Sequence, residues 1–132
     1  MNCGTCGQPL PLAKEAWDIW IPIEPPSQNV VAQNKGGGRH KYRRIRQEYE
    51  MALLWKRNIP KAKGKRRVAI TRCYSRHGKE RDLANIVGGC KALMDALTLT
   101  KLIVDDSPKY LEAHYSQERG KASGVRIVLE DI

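Results

Sequence analysis

One apolar stripe constrains this chain more than any other feature. Ile86, Val87, Cys90, Leu93, Met94 and Leu97 recur at helical spacing, so a helix over 85–100 has to bury that face against a core. Asn85 suits its N-cap, because a side-chain oxygen there accepts from the free N–H groups of the first turn, and Asp82 stands just ahead of it. Gly88 and Gly89 each cost a helix about 1 kcal/mol relative to alanine. That bare surface is therefore expected to meet something closely, a backbone or a ligand. Lys91 and Asp95 fall off the stripe, four residues apart and so on one surface. Leu102, Ile103 and Val104 read as a short strand, which the carboxylate pair Asp105 and Asp106 terminates. Hard divalent cations want such oxygens, and phosphodiester hydrolysis uses those cations to activate water and to neutralise the leaving oxygen.

The rest of the chain supplies the core for that stripe. Trp17, Ile19, Ile21 and Ile23 alternate as in a half-buried strand over 17–23, which Pro25 and Pro26 end because proline cannot donate to a ladder. A polar, glycine-rich loop follows, and its run Gly36 to Gly38, without a P-loop context, reads as a flexible connection. A helix over 41–57 turns Tyr42, Ile45, Tyr49, Ala52 and Leu53 inward. The strand over 68–74 places Val68, Ile70 and Arg72 on one face and Ala69, Thr71 and Cys73 on the other. Two alternating runs, 110–116 and 125–129, flank turn residues at 120–124 and read as a hairpin. The order strand, helix, strand, helix, short strand, hairpin predicts an α+β fold (α/β in a looser scheme), with two helices packed on one mixed β-sheet.

Charge is concentrated in the first two thirds. Residues 35–81 hold 17 of the 24 lysines and arginines against three acidic residues. The sign favours a polyanion, because phosphate neutralisation by Lys and Arg supplies most of non-specific nucleic-acid affinity. The expected DNA contacts are Arg39 just ahead of the first helix, Lys41, Arg43, Arg44 and Arg46 on it, and Lys61, Lys63, Lys65, Arg66 and Arg67 in the basic run. Arg76, Lys79 and Arg81, before the second helix, complete the set. His77, a lone loop histidine, reads as solvated.

Asp82, Asn85, Lys91, the Asp95-Ala96-Leu97 triplet and the Asp105-Asp106 pair, with PPSQN at 25–29 after the first strand, resemble the RusA-like Holliday junction resolvases. The resemblance spans nearly the whole chain from Trp17 onward. It implies a Mg²⁺-dependent endodeoxyribonuclease that resolves four-way DNA junctions in recombination and repair, working as a homodimer. Its metal-binding carboxylates would fall on Asp82 and Asp106, with Asp105 adjacent, and its active-site lysine on Lys91. One departure stands out: the second aspartate of the family's Asp-X-Asp-Asn motif is Ala84 here. The alternative is a nucleic-acid-binding protein of the same fold whose catalysis is impaired at that position.

A length of 132 residues suits one domain, taken as 13–132 after a short extension over 1–12. The extension carries Cys3-Gly-Thr-Cys6, half of a zinc knuckle that lacks a second pair. No run of 18 apolar residues and no signal-peptide pattern occurs, so a cytoplasmic protein is expected, with its cysteines as thiols or metal ligands (zinc at Cys3 and Cys6) rather than a disulfide framework.

Overall fold

Strand β2 (Arg66–Ser75) is the spine of the molecule: Arg66, Val68, Ile70, Arg72 and Tyr74 are buried, and the residues between them are half-buried. The computed structural model describes residues 16–28, 38–56 and 58–132. Around β2 lie β1 (Ala16–Ile21), β3 (Leu111–Gly120) and β4 (Gly124–Asp131), in the spatial order β1-β4-β2-β3. β4 pairs antiparallel with both β1 and β2, whereas β3 runs parallel to β2. Helix α1 (Gly38–Leu54) precedes β2, and two helical segments, α2 (Leu83–Gly89) and α3 (Lys91–Leu99), join β2 to β3. A parallel pair requires such a crossover, since a tight turn cannot return the chain in the same direction.

The helices share one face of the mixed sheet, as the α+β reading requires. A single apolar cluster collects Ile19 and Ile21 of β1, Val68 and Ile70 of β2, and Val125, Ile127 and Leu129 of β4. Tyr49 and Leu53 of α1 and Ala92, Leu93, Ala96 and Leu97 of α3 close it from the other side. Each strand contributes alternate residues only, so the opposite face stays polar. There Arg67 pairs with Glu112 and Glu130, Arg126 with Asp18, and Thr71 with Ser116.

Three local expectations are corrected. The long helix is broken: Asp82, not Asn85, is the N-cap of α2, its carboxylate accepting the Asn85 N–H at 2.7 Å. At Cys90 the path changes, with its N–H shared between the carbonyls of Ile86 and Val87. The glycine pair lies at that break because residues 25–28 cross over it. A Cβ on Gly89 would stand 1.9 Å from the Pro26 carbonyl oxygen, and one on Gly88 would meet the Gln28 side chain at 2.7 Å. Close approach by backbone is thus what the bare surface serves.

Residues 102–104 form no strand. Leu102 and Ile103 are buried as the chain reverses after α3. Lys101 takes the left-handed conformation (φ 64°), the Leu102 N–H returns to the Leu97 carbonyl at 3.0 Å and the Lys101 N–H to that of Thr98 at 3.1 Å, a helix-ending turn usually built on glycine. Nor do β3 and β4 form a hairpin, since β2 lies between them. Ser75 is opposite Gly120 and Cys73 opposite Gly124, so residues 121–123 carry the chain past the end of β2. Two strand spacings are roughly 10 Å. The four steps from Gly120 to Gly124 reach roughly 13 Å when extended, which is enough.

Arg66 locks this arrangement. It is 1 % exposed and donates to the Asp131 carboxylate at 2.8 Å, the Leu102 carbonyl at 2.7 Å and the Pro60 carbonyl at 2.9 Å, with its guanidinium 4.8 Å from the Trp17 ring centre. Removing it would leave two carbonyls without their donor. Arg66→Met is expected to lower stability by about 2–4 kcal/mol, the range for a buried charged donor whose acceptors remain. Urea unfolding followed by circular dichroism reads this directly, and an unchanged midpoint would contradict it.

Candidate functional site

The break at Cys90 makes Lys91 the first residue of α3, with Asp95 one turn further on the same side. Lys91 is exposed and Asp95 half-buried. The reversal at Lys101 then decides what meets them. Thr100 caps the helix with its hydroxyl on the Ala96 carbonyl at 2.8 Å, Leu102 and Ile103 anchor in the core, and the chain returns with Asp105 and Asp106 exposed. The Asp105 carboxylate accepts the Asp106 N–H at 2.8 Å and so shapes the turn. Asp106 consequently reaches Asp95 within one chain, and no partner subunit is needed to bring it there.

Lys91, Asp95 and Asp106 line one cleft of about 460 Å³ between the α2–α3 break and strand β3. Val87, Met94, Leu111, Ala113 and Tyr115 form its apolar side. Asp95 and Asp106 also border a second cleft, of about 370 Å³, where Arg46 of α1 and Asp105 stand. The two carboxylates are therefore the wall between the clefts. The Asp95 carboxyl is held above the usual carboxylate range, first by burial and then by the charge of Asp106. A cation between them would relieve that repulsion. Among the described residues no three His, Cys, Asp or Glu side chains converge as a ready-made cage. Two carboxylates nevertheless suit Mg²⁺, which keeps several waters and is commonly held by one or two carboxylates together with substrate phosphate oxygens.

Asp82, expected as a ligand, is exposed at the start of α2, with one carboxylate oxygen engaged as the helix cap. It is not among the residues lining either cleft. Ala84, exposed, follows it in the first turn. Asn85 has an architectural role: its side-chain oxygen accepts the Gln28 N–H at 2.8 Å and docks the 25–28 segment on α2. Asp95, rather than Asp82, shares the cleft with Lys91 and Asp106. Its spacing from Lys91 carried that signal, since residues four apart on a helix present one surface.

The basic residues divide. Lys41, Arg43 and Arg44 on α1, Lys61, Lys63 and Lys65 in the loop before β2, and Arg76 and Lys79 after it are exposed. Arg46 is half-exposed and held by Glu50 at 3.0 Å. Three of the expected DNA contacts are engaged within the protein. Arg66 is buried, and Arg67 is committed to Glu112 and Glu130 on the helix-free face of the sheet. Arg81 donates to the Pro25 carbonyl at 2.8 Å and lies 3.6 Å from Glu24. Burial and the neighbouring Arg72 charge push its guanidinium pKa down, the opposite of an exposed phosphate-binding cation. The alternation of β2 could have flagged Arg66, which lies one period before Val68 on the buried face. Arg39's side chain, Cys3 and Cys6 lie outside the described residues. Cys90 is fully buried, its thiol pushed up to about 12 chiefly by desolvation, and has the structural role expected of it.

No helix among the described residues is long and apolar enough to cross a membrane. A scan against family models finds no match to this chain, and a search of curated proteins finds none significantly similar to it.

Proposed function

We propose that this protein is a Mg²⁺-dependent endodeoxyribonuclease acting on branched DNA, with four-way junctions as its principal substrate and the cytoplasm as its compartment. The observation that carries the reading is the gathering of Lys91, Asp95 and Asp106 in one cleft. A strongly basic surface on α1 and the 61–65 loop accompanies it, and the resemblance to the RusA-like resolvases points the same way.

In this reading Asp95 and Asp106 hold Mg²⁺, with Asp105 alongside. When bound, the ion lowers the pKa of its water and withdraws charge from the phosphate. The Lys91 ammonium donates to a non-bridging oxygen of the scissile phosphate and stabilises the charge that develops there. Lys41, Arg43 and Arg44 clamp the backbone on one side, and Lys61, Lys63 and Lys65 hold a second arm of the duplex. Arg46, beside the carboxylates in the second cleft, takes the next phosphate along.

A second reading rests on Ala84. The first turn of α2 is the one place where the resemblance calls for a carboxylate and this chain has none, and a DNA-binding protein with weak or absent catalysis would retain the same basic surface. A labelled four-way junction incubated with Mg²⁺, with and without EDTA, separates the two. Cleavage is expected only with Mg²⁺, and Lys91→Ala should lower it by about 10²-fold, the scale of losing one charge-stabilising donor. Ala84→Asp should raise cleavage only under the second reading, because neither Asp82 nor Ala84 lines the cleft of Asp95 and Asp106. Junction binding without cleavage by the native chain would overturn the first reading.

A homodimer matches the near two-fold symmetry of a four-way junction and supplies the two sites that paired strand cuts require. Size-exclusion chromatography with light scattering should give twice the 15.0 kDa chain mass. A monomer that stays monomeric on junction DNA would contradict it.

A further inference from the structure

The cleft at Lys91 has more apolar lining than phosphate chemistry explains. Its charged groups, Lys91, Asp95 and Asp106, stand with an apolar wall made by Val87, Met94, Leu111, Ala113 and Tyr115. Val87 is 40 % exposed although it belongs to the stripe that otherwise faces the core. Tyr115 is partly buried and lines the cleft together with Asp95 and Asp106. At about 460 Å³ the cleft falls within the range of ligand pockets, roughly 300–1,000 Å³. An occupant needs an anionic end for Lys91, a polar link able to share a cation with Asp95 and Asp106, and a flat apolar body.

From this the geometry points to an unpaired nucleotide as the occupant: one base at the branch point leaves its stack and lodges against Tyr115 and Val87, next to the phosphate held by Lys91. The inference rests on the nucleic-acid reading of the site and sharpens it, because the substrate becomes DNA with an unstacked base beside the cut. A base in an intact duplex has both faces covered, whereas a branch point exposes nucleotides at little cost. An aromatic side chain replaces the lost stacking with little regard to base identity. Apolar residues and one ring in the cleft wall are what that exchange requires. The net charge of +10 favours a polyanion over a neutral or basic protein segment as the guest.

The test measures binding rather than cleavage. Four-way junctions carrying a single abasic site at each branch-point nucleotide in turn are titrated with the full chain in EDTA, with affinity read from fluorescence anisotropy. Loss of the lodged base should weaken binding about tenfold at one position, the scale of one base–aromatic stack. In Tyr115→Leu the same loss should shrink to less than about twofold, and Tyr115→Phe should restore it. Val87→Gln, on the exposed wall, gives the same comparison should Tyr115→Leu fail to fold. Tight junction binding that no abasic position weakens would overturn this inference and leave the DNA-binding reading standing, as would a loss undiminished in both variants. No junction binding at all would overturn both.

Discussion

Three remote segments of the chain meet at one buried guanidinium. Arg66 enters the core from the first position of β2 and ties three chain segments that are remote in sequence: the loop at Pro60, the return at Leu102 and the strand end at Asp131. A buried cation is costly unless its donors find acceptors, and here two carbonyls, a carboxylate and an aromatic face supply them. The consequence is positional. With Leu102 fixed to Arg66 and Lys101 in a left-handed turn, the chain leaving α3 has little freedom, and Asp106 arrives beside Asp95. The Lys101 carbonyl also accepts the Ala62 N–H at 2.9 Å, so the lysine-bearing loop is tied to the same reversal.

The far end of the site is fixed by a second set of polar contacts. Glu24 stands between Arg72 at 3.4 Å and Arg81 at 3.6 Å, and the Gln117 side-chain oxygen accepts from both the Arg72 guanidinium and the Arg81 N–H. These contacts hold the 76–82 loop and the 24–28 segment together at the start of α2. Pro26 and Gln28 then press on Gly89 and Gly88, and the helix breaks one residue later. The break restarts the helix at Lys91, so the lysine sits at a helix end, open to solvent. Arginines in this network are engaged within the protein, and the basic half of the chain presents fewer exposed cations than its composition implies.

What the sequence made legible was what depends on neighbours along the chain. The alternation of β2, the inward face of α1 and the stripe through Leu93 and Leu97 follow from periodicity alone, and they were enough for an α+β fold with helices over a mixed sheet. Gly88 and Gly89 announced a close approach without naming Pro26 as the group that makes it, because that carbonyl is some sixty residues away in the chain. The same limit explains β3 and β4. Both alternate and a short glycine-flanked turn joins them, so a hairpin is the local answer, yet the crossover through α2 and α3 makes β3 parallel to β2 and leaves β2 between the pair. In the site, Lys91, Asp105 and Asp106 were readable as chemistry, whereas Asp95 needed the reversal at Lys101 to become their neighbour. Asp82 was readable as acidic, and its use as a helix cap depends on where α2 begins.

The central claim is that Asp95 and Asp106 form one cation site at the wall between two clefts. Paramagnetic line broadening by Mn²⁺ in place of Mg²⁺, followed on backbone amides, tests it without reference to any activity. The account predicts that substoichiometric Mn²⁺ broadens amides of residues 91–95 and 105–107 first, and that Asp95→Asn together with Asp106→Asn abolishes the effect. Broadening centred on Asp82 and the first turn of α2, or none at millimolar Mn²⁺, would contradict it.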